Sequence, residues 1–174
     1  MNHIVLYNPE IPQNTGNIMR TCAATNMMLH MIEPLGFKLD TKNVRRSAAN
    51  YLKHVNYKVY RDWDHFLTEN NGEFYFLTRY GTRTPDTMDY TSANDIYLVF
   101  GAESSGIPKD ILKGHLERCL RLPMTDKVRS LNLSNTVAIV AYEVLRQQGY
   151  KGLYDHEPET LKGKDFLERM INAL

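Results

Sequence analysis

Residues 129–135 read Arg129-Ser-Leu-Asn-Leu-Ser-Asn135 and run directly into the apolar repeat Thr136-Val-Ala-Ile-Val-Ala-Tyr-Glu-Val-Leu-Arg146. The repeat predicts a long helix over residues 137–148, which Gly149 ends. One Ser or Asn side chain is enough to cap the unpaired backbone N–H groups of a helix start. This segment carries more polar groups than a cap needs, in Ser130, Asn132, Ser134 and Asn135. The surplus predicts a loop that wraps a polar ligand at the mouth of a helix, with a plain capped loop as the alternative.

Upstream of this segment, β-type runs alternate with helical runs. Strands are predicted at residues 3–7, 29–32, 55–60, 73–78, 95–100 and 119–122. Helices are predicted at residues 17–25, 42–54, 63–69 and 108–115, with a small amphipathic helix at 165–174. The alternation predicts an α/β fold, with a mostly parallel sheet flanked by helices on both faces. Because ligands of such sheets bind outside the carboxyl ends of the strands, the loops that follow strands are expected to form the site.

The composition of the 174 residues is that of one soluble globular domain. No apolar run approaches the roughly 20 residues that span a bilayer, and the first residues read as a strand rather than a signal peptide. Cys22 and Cys119 are far apart in the sequence, which favours a reducing compartment, and we expect a cytoplasmic protein.

The formal net charge of +1 is low for a protein that binds nucleic acid mainly through charge. Binding to RNA or DNA would therefore depend on local basic patches, each of which also fits ordinary solvated surface. The candidate patches are Arg45/Arg46 with Lys53, Lys58/Arg61, Arg79/Arg83, and Arg118/Arg121 with Lys127/Arg129.

The loop after the first predicted strand, residues 8–20, contains two prolines and ends at Arg20. The Arg20 guanidinium suits bidentate capture of a phosphate, and an ion pair with Glu10 or Glu33 is the alternative. The helix that follows this loop is expected to be capped by one of three polar residues, Asn14, Thr15 or Asn17.

The loop at residues 98–108 follows the most apolar predicted strand. Its Gly101 and Gly106 allow the backbone to approach a ligand closely, and Glu103 can accept hydrogen bonds from a ligand hydroxyl or amine. A strand, a glycine-rich loop and a helix in this order are common, so this loop alone does not identify a site.

Several signatures of other enzyme classes are missing from the sequence. Neither G-x-G-x-x-G nor G-x-x-x-x-G-K-[ST] occurs, which removes the usual support for nicotinamide and P-loop nucleotide sites. The six histidines are scattered and the cysteines lack metal-ligand spacing, so no metal site is expected. The absence of G-x-S-x-G argues against an α/β-hydrolase.

Taken together, in this order and spacing, the three loops resemble the signature motifs of the SPOUT superfamily of trefoil-knot RNA methyltransferases. Residues 8–26 resemble the first motif, residues 98–108 the second and residues 122–146 the third. The resemblance is strongest to the branch that methylates the ribose 2′-hydroxyl of the wobble nucleotide, position 34 of tRNA. It covers residues 1–150, and Ser104-Ser105 depart from the Thr-Arg that relatives often carry.

The resemblance implies a single domain over residues 1–174, with a C-terminal deep trefoil knot and a tail with a short helix at 150–174. It implies S-adenosylmethionine as the cofactor, the anticodon stem-loop of tRNA as the substrate, and a homodimer formed through the first helix and the long helix. It implies neither a metal nor a membrane. The implied catalytic residues are Arg20, Asn14 and Asn132. The residues implied to bind the cofactor are Leu77, Thr78, Gly101, Glu103, Leu122, Met124, Ser130, Leu131 and Ser134.

The implied reaction is attack of a ribose 2′-oxygen, from cytidine or uridine, on the sulfonium methyl group. The protein must align the reactants and remove one proton. Because a guanidinium stays protonated, we expect Arg20 to hold the phosphate beside the ribose rather than to act as the base. A flipped base would stack on an aromatic ring or Arg plane that the sequence does not identify.

Three alternatives stay open at this point. The protein could be a 2′-O-methyltransferase that acts on ribosomal RNA or on another tRNA position. It could be a knotted RNA-binding protein without activity. It could also be an unknotted α/β protein that binds a nucleotide-like small molecule.

Overall fold

A computed structural model describes residues 1–39, 42, 44, 46 and 49–174. The strands are β1 (Asn2–Tyr7), β2 (Met28–Ile32), β3 (Tyr57–Tyr60), β4 (Glu73–Leu77), β5 (Ile96–Phe100) and β6 (Cys119–Leu120). The α-helices are α1 (Pro12–Thr25), α2 (Trp63–Glu69), α3 (Lys109–Leu112), α4 (Leu133–Gln147) and α5 (Phe166–Asn172). Short 3-10 helices occupy Ala49–His54, Pro85–Thr87 and Leu116–Arg118.

The strands form one six-stranded sheet in the order β3-β2-β1-β5-β4-β6. Each neighbouring pair is parallel, with registers such as Ile4 beside Leu29 and Leu98. All five residues of β5 are buried, as expected for a central strand covered on both faces. The predicted α/β fold with a mostly parallel sheet is therefore confirmed.

Helices cover both faces of the sheet. On one face, α1 and α4 pack against Ile4, Leu6 and Leu98 through buried residues that include Ile18 and Val140. The opposite face is covered by α2 and α3 and carries a second apolar cluster. Strand residues alternate between the two clusters because successive side chains of a strand point to opposite faces. Both α1 and α4 start at the carboxyl end of the sheet, and this arrangement brings their first turns together.

Helix α1 begins at Pro12, five residues before the predicted start at Asn17. The prediction that Asn14, Thr15 or Asn17 caps this helix is wrong, because all three lie inside it. Proline is well suited to the first helical position, since it has no N–H to satisfy and its φ is already helical. The N-cap is Ile11, whose side chain forms no capping hydrogen bond.

Two other predicted helices differ from the structure. The helix predicted at 108–115 is shorter: α3 ends at Leu112, and Gly114 adopts a positive φ of 84° that is incompatible with a continuing helix. Of the helix predicted at 42–54, residues 43, 45, 47 and 48 lie outside the described part of the chain. Its described end, Ala49–His54, is a 3-10 helix. Arg45, a member of a candidate basic patch, also lies outside the described residues.

A chain of polar side chains is buried beneath α2. Nδ1 of His3 lies 2.9 Å from Nε2 of His30, and Nδ1 of His30 lies 2.9 Å from the hydroxyl of Tyr60. Burial is the main cause that lowers the pKa of His30 to about 4, with smaller contributions from His3 and Lys58. Burial also lowers the pKa of His3, against the attraction of Asp95. The two histidines are therefore neutral at physiological pH.

Within the part of the chain that the structure describes, no helix is long and apolar enough to cross a membrane.

Candidate functional site

A cavity of about 550 Å³ lies at the carboxyl ends of β4, β5 and β6. This is the edge at which open parallel sheets bind their ligands, and the volume is within the range of small-molecule sites. Its walls come from the loops after these strands, from the first turn of α1 and from the start of α4. The three loops that the sequence singled out therefore meet in one place.

Asn132 joins the start of α4 to the start of α1. Its side-chain oxygen accepts hydrogen bonds from the backbone N–H of Ser134 at 2.9 Å and of Asn135 at 3.3 Å, which caps α4. Its amide nitrogen donates to the side-chain oxygen of Asn14 at 3.0 Å. The helix begins at Leu133, four residues before the predicted start at residue 137, so Ser134 and Asn135 lie inside it rather than in a loop. Its cap is an Asn side chain, the expected type, and this one side chain also connects two loops.

Glu103 extends this connection to the third loop. Its carboxylate accepts hydrogen bonds from the backbone N–H groups of Glu10 at 2.8 Å and Ile11 at 3.1 Å, and from the Asn14 amide at 3.3 Å. A carboxylate in this position is also stabilised by the helix dipole of α1. Glu103 thus supports the residues before α1, a role that differs from the expected acceptance of ligand hydrogen bonds.

Glu10 forms hydrogen bonds in the opposite direction, from the loop before α1 to the loop after β5. Its carboxylate accepts hydrogen bonds from the backbone N–H of Ser104 at 2.9 Å and from the Ser104 hydroxyl at 2.6 Å. Two carboxylates on facing loops therefore each bind the backbone of the other loop. This exchange fixes the wall of the cavity between β1 and β5.

Gly101 gives the cavity a wall made of bare backbone. A Cβ atom on Gly101 would lie 2.2 Å from the carbonyl carbon of Gly106, so no side chain fits there. Gly106 itself has a φ of +73°, which favours glycine, and a bridge joins Ala102 to Gly106. The loop is thus a tight backbone hairpin that can approach a ligand without side chains in between.

Most of the residues that the resemblance assigned to the site line this cavity. They are Asn14, Leu77, Thr78, Gly101, Glu103, Leu122, Met124, Ser130, Leu131 and Asn132. Ser134 is buried behind the wall, where its hydroxyl donates to the Asn132 side-chain oxygen at 2.6 Å. Ser134 therefore supports Asn132 rather than lining the cavity.

Arg20 does not line the cavity of the described chain. It projects from the exposed side of α1, and its guanidinium carbon lies 4.9 Å from the centre of the Tyr51 ring. Neither expected partner, Glu10 or Glu33, forms an ion pair with Arg20 among the described residues. The guanidinium is thus held by an aromatic ring instead of a carboxylate.

Basic residues that the sequence left as surface patches belong to the cavity wall. Arg79, Arg121 and Arg129 all line it, beside the exposed ring of Tyr80. The signal that could have found them is position, because Arg79 and Tyr80 directly follow the strand end at Leu77 and Thr78. No group of three His, Cys, Asp or Glu side chains among the described residues is placed to hold a metal ion.

Comparison with known proteins shows which family this chain belongs to. The model of the SpoU rRNA methylase family matches residues 1–142. A Bacillus subtilis (strain 168) protein assigned as a tRNA (cytidine(34)-2′-O)-methyltransferase is 54% identical over 154 residues, which is 87% of this chain and 96% of that protein.

Solved structures that resemble this chain are also of RNA methyltransferases. The structure of an assigned RNA methyltransferase from Bacillus anthracis is 51% identical, has a TM-score of 0.84, and is matched over 91% of this chain and 100% of its own. A structure that concerns 2-OH methylation of C/U34 on tRNA is 37% identical, with a TM-score of 0.78, over 86% of this chain and 97% of its own. The chain belongs to the SpoU rRNA methylase family.

Proposed function

We propose that this protein transfers a methyl group from S-adenosylmethionine to the ribose 2′-hydroxyl of the wobble nucleotide, cytidine or uridine 34, of tRNA. The observation that carries the proposal is the 54% identity to the Bacillus subtilis relative over nearly its whole length. The cavity adds to this support, because its walls are formed by the three loops whose motifs suggested the reaction.

The residues of the cavity fit the proposed cofactor. The bare backbone at Gly101 and the polar side chains of Thr78 and Ser130 suit the amino acid and ribose parts of such a molecule. Apolar side chains such as Leu77 and Leu122 suit its adenine. When bound, S-adenosylmethionine supplies an electrophilic methyl group.

The chain's own residues align the reactants. Asn132, Asn14 and Glu103 hold the three loops in one arrangement, so the cavity has its shape before a ligand enters. Arg20 lies outside the cavity wall, on the exposed side of α1. Its guanidinium is proposed to hold the phosphate beside the target ribose of the bound RNA and to polarise the ribose hydroxyl. Since a guanidinium does not accept a proton, the 2′-hydroxyl proton passes to water or to another group.

The remaining parts of the proposal concern assembly and location. We propose a single domain over residues 1–174 with a deep C-terminal trefoil knot, acting as a homodimer in the cytoplasm. The exposed side chains of Ile139 and Tyr142 on α4 support an interface on that helix. The anticodon stem-loop is the proposed part of tRNA that is bound.

The test is methyl transfer from labelled S-adenosylmethionine to bulk tRNA and, in a separate reaction, to ribosomal RNA, both from cells that lack the enzyme, followed by nuclease mapping of the labelled nucleotide. Label in the ribose of position 34 is the expected result. Label in ribosomal RNA or at another tRNA position would replace the substrate. Cofactor binding without transfer to any RNA would indicate an RNA-binding protein without methyltransferase activity.

A further inference from the structure

Tyr80 stands open at the rim of the cavity. Its side chain lines the cavity and is 76% exposed, one of the most exposed aromatic rings among the described residues. The turn that carries it follows β4: the backbone N–H of Tyr80 donates to the Thr78 hydroxyl at 3.3 Å, and that of Gly81 donates to the Thr78 carbonyl at 3.1 Å. The ring is thus presented to solvent by a structured turn.

The backbone beneath Tyr80 is tied to β6. The Arg121 side chain donates to the Arg79 carbonyl at 2.5 Å, and the Arg121 backbone N–H donates to the Arg83 carbonyl at 2.8 Å. Gly81 packs so closely that a Cβ atom there would lie 2.5 Å from the carbonyl carbon of Leu120. Because the turn is already ordered, little conformational entropy is lost when a ligand covers the ring.

Arginine side chains share the cavity wall with the exposed ring, and one of them lies against it. The guanidinium carbon of Arg79 lies 5.1 Å from the centre of the Tyr80 ring, and Arg121 and Arg129 line the same cavity. Among the described residues none of these arginines forms an ion pair. The Glu103 carboxylate in this wall binds the backbone before α1. The rim therefore combines an open aromatic ring with unneutralised guanidinium groups.

This combination fits a nucleotide of single-stranded RNA. A base stacks on an aromatic ring while its phosphate binds arginine, and both contacts tolerate any base. We propose that Tyr80, flanked by Arg79, is the platform on which an unpaired nucleotide of the RNA substrate stacks at the mouth of the cavity. The proposal rests on the proposed function for the identity of the substrate, and it names a contact that the sequence did not identify.

The test compares Tyr80→Ala and Tyr80→Phe with Tyr154→Ala, a matched control for a 74% exposed tyrosine in the tail. Binding of an anticodon stem-loop RNA and of a mixed-sequence single-stranded RNA is measured by fluorescence anisotropy, and binding of S-adenosylmethionine by calorimetry. Loss of the ring should weaken RNA binding about 10-fold or more and raise the KM for tRNA. Tyr80→Phe and Tyr154→Ala should bind RNA as the wild type does, and all variants should keep their cofactor affinity.

Four results would overturn the platform, with the sedimentation of each variant measured beside its binding. Unchanged RNA binding by Tyr80→Ala would remove its role, as would wild-type protein that binds neither RNA. Weaker cofactor binding with unchanged RNA binding would assign the ring to the cofactor. A changed sedimentation coefficient with unchanged RNA binding would assign it to a contact between copies of this chain.

Failure of the proposed function looks different in the same experiment. Wild-type protein that leaves position 34 unmethylated would reject the function, while the loss of single-stranded RNA binding in Tyr80→Ala would still support the platform. Wild-type protein that methylates position 34, together with Tyr80→Ala at an unchanged KM, would keep the function and reject the platform.

Discussion

The side-chain amide of Asn132 donates a hydrogen bond to the side-chain oxygen of Asn14 over 3.0 Å, across 118 residues of sequence. The same Asn132 caps α4, and the same Asn14 donates to Glu103 at 3.3 Å. Two side-chain amides and one carboxylate thereby join the starts of α4 and α1 to the glycine-rich loop after β5. The shape of the cavity depends on this short series of hydrogen bonds.

Substitutions of Asn132 should separate its two roles. Asn132→Asp keeps the oxygen that caps α4 but loses the N–H that reaches Asn14, so Tm should stay near the wild-type value while methyl transfer falls. Asn132→Ala loses both, and the missing cap alone should lower the free energy of unfolding by about 1 kcal/mol. Thermal unfolding and methyl-transfer rates measure the two effects. Full activity in Asn132→Asp would show that the bond to Asn14 is unimportant.

Arg20→Lys should keep the protein folded and its cofactor bound while it loses turnover. Lysine retains the charge but not the planar fork that binds a phosphate through two N–H groups. We expect kcat to fall about 100-fold, the size of effect that misplaced reactants produce. The matched control is Arg61→Lys, an exposed arginine that follows the edge strand β3, is paired with Asp62 and does not line the cavity. Near-normal turnover in Arg20→Lys would reject the role.

Glu103→Gln should loosen the wall between β1 and β5. The amide has one oxygen where the carboxylate offers two, so an N–H group of Glu10 or Ile11 loses its partner. The N–H of Glu10 is partly buried and that of Ile11 is exposed, so water replaces part of the lost bond. The free energy of unfolding should fall by about 1 kcal/mol, which lowers Tm by a few degrees. Differential scanning fluorimetry measures this, with Glu157→Gln in the exposed tail as the control. Equal Tm values for the two variants would contradict the structural role of Glu103.

The buried histidines should make the protein less stable in mild acid. The pKa of His30 is lowered to about 4, whereas an unfolded histidine titrates near 6.5. The unfolded state therefore binds more protons between these values, and stability is complete above pH 6.5 and lost as the pH falls through about 4. The loss should be on the order of 3 kcal/mol.

His30→Gln removes the titrating group of this pair. The stability of this variant should depend less on pH between 6.5 and 4 than that of the wild type. Thermal unfolding at a series of pH values checks the slope, which does not depend on whether the substitution itself lowers Tm. Parallel curves for the two proteins would show that His30 is not the cause.

Features set by neighbouring residues could be predicted from the sequence. The strand of five apolar residues at β5 and the end of α4 before Gly149 each depend on a few adjacent side chains. The start of α4 was predicted four residues too late, because several polar residues in a row could each have capped it. The start of α1 could not be placed in this way. Three polar residues competed as caps, while the carboxylate that supports the actual start comes from Glu103, in a loop that β5 positions.

The sequence predicted which residues line the candidate site better than it predicted which groups those residues bind. The motif positions indicated which loops meet, and Gly101 and Ser130 line the cavity as expected. Which side chains bind ligand and which bind protein depends on distances across the sheet. Ser134 and Glu103 proved to be occupied by protein groups for this reason. Tyr80 was missed because a single exposed tyrosine carries no pattern.

The cavity wall is assembled from both ends of a long stretch of chain, from Ile11 to Thr136. During synthesis from the N-terminus, no ligand site can exist until residues near 136 have left the ribosome and β6 has joined β4. A cofactor that binds this cavity therefore binds only molecules in which residues 11–136 have folded together, and it stabilises them over less folded ones by mass action. Cofactor supply would then set how much of the newly made protein persists, in addition to how fast it works.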